Sequence, residues 1–233
     1  MRLILASSSP RRRHLLALLG LPFTVVRAEV DESPLAGEEP AATARRLSRA
    51  KAQAAAVHLR EGLIVAADTL VVLEGECLGK PAHPDEATAM LCRLRGREHR
   101  VLSGLALLDA ASGREAIEVV ETRVWMRHTS DEEIAAYVAS GDPFDKAGAY
   151  AVQHDGFHPV ARWWGCATNV MGLPLCHLDT MLRAFGVPLG ATPVQACRPP
   201  HACAINVVTP QRAAPARTGS HPPTPYRSTS APG

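Results

Sequence analysis

The chain has 233 residues, 46% of them hydrophobic, enough to bury one substantial core or two small lobes sharing one. Its six cysteines (Cys77, Cys92, Cys166, Cys176, Cys197 and Cys203) are scattered without a C-x-x-C pair, which argues against a zinc ribbon or a disulfide framework. The 25 basic and 23 acidic side chains give a net charge of +2, but residues 191–233 hold four arginines and no acid, so residues 1–190 carry −2 and bulk polyanion binding is disfavoured.

Residues 2–6 read as a short apolar strand that turns polar at once, too short for the apolar region of a signal peptide. No later segment reaches the roughly 18 apolar residues of a membrane span, so a cytoplasmic protein is expected. Ser9 reads as a helix N-cap with Pro10 at the first helical position, and Leu15, Leu16, Leu18 and Leu19 line that helix until Gly20 stops it. Phe23 to Arg27 is a second strand, Pro40 to Leu59 a long alanine-rich helix, and Leu63 to Leu73 a β-rich run ending at a turn around Gly75. Pro84 opens a helix closed by Gly96.

Arg100 to Asp109 and Glu115 to Arg127 are expected as two strands joined by a turn at Ser112-Gly113, which makes the sheet mixed. Ser130 to Ser140 reads as a short helix, Ala149 to Gln153 and His158 to Trp163 as strands, and Pro174 to Phe185 as the closing helix. Strands alternating with helices predict an α/β fold over residues 1–190. Beyond it, nine of the 43 residues in 191–233 are proline and no periodicity is present, which predicts a disordered tail. Cys197, His201 and Cys203 there lack a fourth ligand for a metal clip.

Four constellations can carry chemistry. Ser7-Ser8-Ser9-Pro10-Arg11-Arg12-Arg13 sits where a strand gives way to a helix N-terminus, whose unpaired N–H groups and partial positive charge suit phosphate. Arginine is unfavourable beside that positive end, so three in a row suggest a compensating anion. Asp68 and Thr69 interrupt an apolar β run; the carboxylate can deprotonate a water, hold Mg²⁺, or satisfy a turn at the strand end. Lys51 and Lys80 stand out in a chain with only three lysines. Lys51 projects from the semi-apolar face of its helix, and Lys80 lies in a Gly79-Lys80-Pro81 turn; each suits a phosphate, and each also fits an ordinary surface lysine. Finally, Asp145-Lys146-Ala147-Gly148-Ala149-Tyr150, Gln153 and Asn169-Val170-Met171-Gly172-Leu173-Pro174 combine glycines for close backbone approach with an amide suited to a base edge.

In order and spacing, S-x-S-P-R-R, Asp31-Glu32, the helix with Lys51, A-A-D-T, G-K-P, Ser103-Gly104, D-K-A-G-A-Y with Gln153, and N-V-M-G-L-P-L closely resemble the Maf-like nucleoside triphosphate pyrophosphatases. The resemblance covers residues 2–187. It implies an elongated α/β protein with a mixed sheet, two lobes and a central nucleotide cleft, hydrolysing a nucleoside triphosphate to monophosphate and pyrophosphate with Mg²⁺ or Mn²⁺. It assigns Asp68 as proton acceptor and Arg11, Thr69 and Gln153 as specificity positions. Ser8, Arg12, Lys51 and Lys80 would bind the triphosphate, and Glu32, Asp68 and Asp145 the metal.

The D-K-A-G-A-Y segment followed by Gln153 looks like the branch acting on dTTP and UTP. The departures at His154-Asp155-Gly156-Phe157-His158 and Trp163-Trp164 leave purine-directed and 7-methyl-GTP enzymes as alternatives. The resemblance also implies a homodimer. A non-enzymatic regulator of septum formation or a nucleic-acid binder is the contrasting class, and the acidic balance of residues 1–190 counts against it.

Overall fold

Three strands are the longest elements of the sheet, because β-favouring residues recur in them for eleven or twelve residues without a proline. The computed structural model describes residues 2–190 and the backbone of residues 206 and 207. In chain order the elements are β1 (Leu3–Ala6), α1 (Pro10–Ala17), β2 (Phe23–Val26), α2 (Pro40–Ala56), β3 (Leu63–Leu73), β4 (Glu76–Leu78) and α3 (Pro84–Leu94). Then follow β5 (Glu98–Asp109), β6 (Glu115–Met126), α4 (Asp131–Ala139), 3₁₀ turns at Asp142–Asp145 and Ala147–Ala149, β7 (Val160–Trp164), α5 (Ala167–Val170), α6 (Leu175–Ala184) and β8 (Asn206–Val207). The sheet runs β2-β1-β3-β5-β6-β7-β8, with β4 paired to β3 off this path. β1 is parallel to β2 and β3, and every other pair is antiparallel, so the sheet is mixed as expected. Among the described residues no helix is long and apolar enough to cross a membrane.

Helix starts follow local chemistry. Ser9 caps α1 by accepting the Arg12 N–H at 3.4 Å, with Pro10 at the first helical position. Ser130 and Glu133 form a reciprocal capping box at α4. Differences from the sequence reading lie where backbone geometry depends on distant packing. α2 ends at Ala56 rather than Leu59. Residues 149–153 are not a strand: Gly148 and Ala149 both take left-handed φ, 69° and 61°, which reverses the chain. Tyr150 is instead buried, its hydroxyl 2.7 Å from Nε2 of buried His99 on β5. The expected disordered tail and its Cys197, His201 and Cys203 fall outside the described residues, apart from the two of β8.

The long strands serve two lobes. At one end Leu63, Val65 and Ala67 of β3 pack with Leu15 and Leu16 of α1 and Leu178 and Leu182 of α6. On the opposite face Ile64 and Ala66 pack with Ala52 and Ala55 of α2. At the other end Val71 and Leu73 join Leu91 of α3, Val124 of β6 and Ile134 of α4. Asp68, Thr69 and Leu70 lie between these cores. On the outer edge of β3, β1 pairs only with Leu63–Val65 and β4 only with Val71–Leu73, so residues 66–70 have no strand beside them there among the described residues. The gap opens beyond the carboxyl end of β1, where open α/β sheets bind ligands.

Helix α2 lies unusually close to the sheet at one point. A Cβ on Gly104 would sit 2.0 Å from the Ala44 carbonyl oxygen and 2.7 Å from Ser48 Oγ. Gly104 is the cross-strand partner of Asp68, so the missing side chain lets α2 approach that carboxylate. Gly104→Ala is expected to lower stability by about 3 kcal/mol, read as a shifted urea midpoint; an unchanged midpoint would show that α2 has room to spare.

Burial pushes the His99 imidazole down to about 4, with Glu98 opposing weakly. An unfolded imidazole takes its proton near 6.5, so folding stability is complete above that pH and falls as pH drops toward 4, by up to about 1.4 kcal/mol per unit. His99→Gln should flatten this slope in denaturation measured from pH 7 to 4. A slope identical to wild type would remove His99 as its source.

Candidate active site

The period-two alternation of a strand decides which helix each polar residue of β3 meets. Asp68 shares the face of Ile64 and Ala66 and points to α2; Thr69 shares the face of Val65 and Ala67 and points to α1. On the α2 side, Lys51 Nζ donates to Asp68 Oδ1 at 2.6 Å and lies 2.6 Å from Glu32 Oε1. Lys51 and Asp68 are buried, whereas Glu32 is exposed on the loop before α2. Partial burial acts to raise the Glu32 carboxyl, but hydrogen bonding and charge from Lys51, with Lys80 and Arg12 behind it, hold it below the ordinary carboxylate range.

On the α1 side, Arg12 donates from Nε to the Gly172 carbonyl at 2.9 Å and from Nη2 to Thr69 Oγ1 at 3.1 Å. Thr69 Oγ1 is also 2.8 Å from Ser103 Oγ of β5. Gly172 takes φ 108°, a conformation that a side chain would strain. Burial pushes the Arg12 guanidinium down from its ordinary value; Asp68 opposes that shift, neighbouring Arg11 adds to it, and Glu32 opposes it more weakly. Ser8 is exposed at the β1–α1 turn, and Lys80 is exposed in the turn after β4, which is tied to the opposite segment by the Gly148 N–H donating to Gly79 O at 2.9 Å.

Arg11 crosses between the lobes. Its Nη1 lies 3.2 and 3.1 Å from the two Asp145 carboxylate oxygens, and Nη2 donates to the Asp145 backbone oxygen at 3.1 Å. Asp145 also accepts from Lys146 Nζ at 2.7 Å. Although partial burial works against it, Lys146 and Arg11 hold the Asp145 carboxyl below its ordinary value. Gln153 and Arg11 line a cavity of about 480 Å³ together with Asp142, Asp145, Lys146 and His154.

Of the three carboxylates expected at a metal, Glu32 and Asp68 converge on the Lys51 ammonium, whereas Asp145 pairs with Arg11 and Lys146. Among the described residues no group of three or more His, Cys, Asp or Glu is placed to hold a metal. Ser103 and Gly172 fall in motifs already singled out in the sequence, whereas Asp142 and Tyr137 have no role assigned there; the nearest signal to them is Lys146, the third lysine of an arginine-rich chain. Arg11, Arg12, Lys51 and Lys80 gather with Asp68 and Glu32 at the gap in the sheet, an arrangement whose excess of cations suits a polyanion.

The family model described as Maf-like protein matches residues 2–185. The chain belongs to the Maf family. This Maf chain is 48% identical over 186 residues to a dTTP/UTP pyrophosphatase of Moorella thermoacetica, covering 80% of this chain and 96% of that protein. It is 48% identical over 184 residues to a dTTP/UTP pyrophosphatase of Pelotomaculum thermopropionicum, covering 79% and 96%. Among solved structures, a HAM1 protein from Coxiella burnetii aligns at a TM-score of 0.44 with 15% identity, covering 79% of this chain and 99% of that one. The Maf match ends ahead of the proline-rich tail.

The buried ion pair can be tested apart from any reaction. Lys51→Met leaves a buried carboxylate without its partner and should lower stability by about 3 kcal/mol, while Asp68→Asn, which keeps an acceptor for Lys51, should lower it less. Urea denaturation of both variants decides this, and equal midpoints would contradict the pairing.

Proposed function

We propose that this Maf protein hydrolyses dTTP and UTP to the monophosphate and pyrophosphate. The observation that carries the reading is the convergence of Asp68 and Glu32 on Lys51 at the gap in the sheet, beside the α1 N-terminus and Arg12. The names of the relatives at 48% identity agree with it. The reading expects a cytoplasmic enzyme, in the compartment where its substrates are made.

Ser8, Arg12, Lys51 and Lys80 bind the triphosphate. Exposed Glu32 is free to exchange partners at the cleft, whereas Asp68 stays on the floor. Their hard oxygens fit Mg²⁺ or Mn²⁺, which use one or two protein carboxylates together with substrate phosphates and water. When bound, the metal neutralises charge on the triphosphate. Asp68 accepts the proton of a water that attacks the α-phosphorus; a new P–O bond forms as the bond to the bridging oxygen breaks, and pyrophosphate leaves with its charge held by Arg12, Lys51 and Lys80. Arg11, Thr69 and Gln153 select the base, the Gln153 amide offering both a donor and an acceptor to the O and N–H edge of uracil or thymine. Asp145 serves here by orienting Arg11.

Pyrophosphate release is measured with Mg²⁺ or Mn²⁺ and each of dTTP, UTP, CTP, GTP, ITP and 7-methyl-GTP. dTTP and UTP are expected to lead the series, and Asp68→Asn to lower kcat about 100-fold with KM little changed. A lead for GTP, ITP or 7-methyl-GTP would reassign the substrate. No release from any of the six at high enzyme would overturn the enzymatic reading.

A further inference from the structure

A chain of hydrogen bonds runs from α4 to Asp145 and Arg11 of the site through Tyr137, Asp142 and Lys146, which have no part in the reaction above. It starts at Tyr137, buried on α4, whose hydroxyl donates to Asp142 Oδ2 at 2.6 Å. Asp142 accepts Lys146 Nζ twice, at its backbone oxygen (2.5 Å) and at Oδ1 (2.8 Å). The third bond of Lys146 Nζ goes to Asp145 Oδ1 at 2.7 Å, and Asp145 holds Arg11 of α1 through its carboxylate and its backbone oxygen.

Two features separate this chain from a phosphate site. An ammonium has three N–H donors, and all three of Lys146 are used on Asp142 and Asp145, so none remains for a nucleotide oxygen. Lys146 is also buried, so it acts as a cross-link between two carboxylates that would otherwise repel. The second feature is the double use of Tyr137. Its hydroxyl accepts the Ala151 N–H at 3.2 Å, two residues before Gln153. Its ring is fixed independently, stacked on Phe157 with centroids 4.2 Å apart and met edge-on by His154 at 4.7 Å. One hydroxyl thus ties the segment bearing Gln153 to the same chain that ends on Arg11, and both residues line the 480 Å³ cavity.

We propose that Tyr137 and Lys146 are positioning residues for base selection, fixing Arg11 and Gln153 relative to each other through one hydrogen-bonded chain. The inference rests on the proposed pyrophosphatase reading. Arg11 and Gln153 sit on different lobes, so their spacing depends on what joins the lobes. Selection of a base by hydrogen bonding needs that spacing held closely, because a donor displaced by a fraction of an ångström discriminates poorly.

The test compares wild type, Tyr137→Phe, Lys146→Met and the double variant on UTP and CTP, which differ at the ring position carrying O or N–H₂. Tyr137→Phe keeps the ring and its stacking. It is expected to raise KM for UTP, leave kcat within about twofold, and lower the UTP-to-CTP ratio of kcat/KM about tenfold. Lys146→Met should lower the ratio at least as far, and the double variant no further, since both break one chain. A lower melting temperature with an unchanged UTP-to-CTP ratio would overturn the proposal, as would a fall in kcat alone or strictly additive losses. Lys146→Met carries some risk to folding, which Tyr137→Phe does not share. A wild-type protein that releases no pyrophosphate from any triphosphate would instead overturn the pyrophosphatase reading itself, and this inference with it.

Discussion

The site depends on one buried ammonium. Lys51 reaches Asp68 from α2, and it can do so only because α2 rests against the bare backbone of Gly104, directly across from Asp68 on β5. A buried carboxylate without a counter-charge is strongly unfavourable, so the helix, the glycine and the lysine form a single requirement. Ala44, Ser48, Lys51 and Ala55 lie along one buried stripe of α2, and the helix's small residues allow the close approach. Widening that contact by one methyl group would carry Lys51 away from the strand.

The second constraint is topological. β3 serves both lobes, and Asp68 and Thr69 stand between their cores at the uncovered middle of the strand. Because β1 is four residues long and β4 three, neither covers the middle of β3, and the alternation of the strand then distributes Asp68 and Thr69 to opposite faces. One face receives the carboxylates and Lys51; the other receives Arg12, Ser103 and the Gly172 carbonyl. A cleft with carboxylates on one side and guanidiniums on the other follows from two short strands beside a long one.

Much of this was legible in the sequence where the cause is local. The Ser9 cap, Pro10, Leu15 and Leu16 define α1 without reference to anything distant, although the helix ends at Ala17, before Leu18 and Leu19, and Asp68 stands out because it breaks an apolar run. The α/β order and the antiparallel β5–β6 pair follow from periodicity and a turn signal. What escaped is what depends on partners far along the chain. The contact of Asp145 with Arg11, 134 residues earlier, has no local signal. Residues 149–153 read as a strand because Ala-Tyr-Ala-Val has strand chemistry; the left-handed Ala149 and the burial of Tyr150 against His99 are tertiary outcomes that propensity does not contain.

The two buried lysines show why the choice of lysine over arginine matters in a chain that uses arginine almost everywhere else. An ammonium directs three donors from a single atom and can draw two carboxylates to one point, where a guanidinium spreads five donors over a plane. Lys51 bridges Asp68 and Glu32, and Lys146 bridges Asp142 and Asp145. The difference lies in what remains. Lys51 makes one contact with a buried partner and one with an exposed one, so Glu32 can be exchanged for a ligand while Asp68 stays in place. Lys146 has every donor committed within its own segment. The same chemical group is therefore partly open to exchange in one place and saturated in the other, a distinction invisible in a sequence motif and the physical ground on which Lys51 is proposed to meet substrate and Lys146 to act only by position.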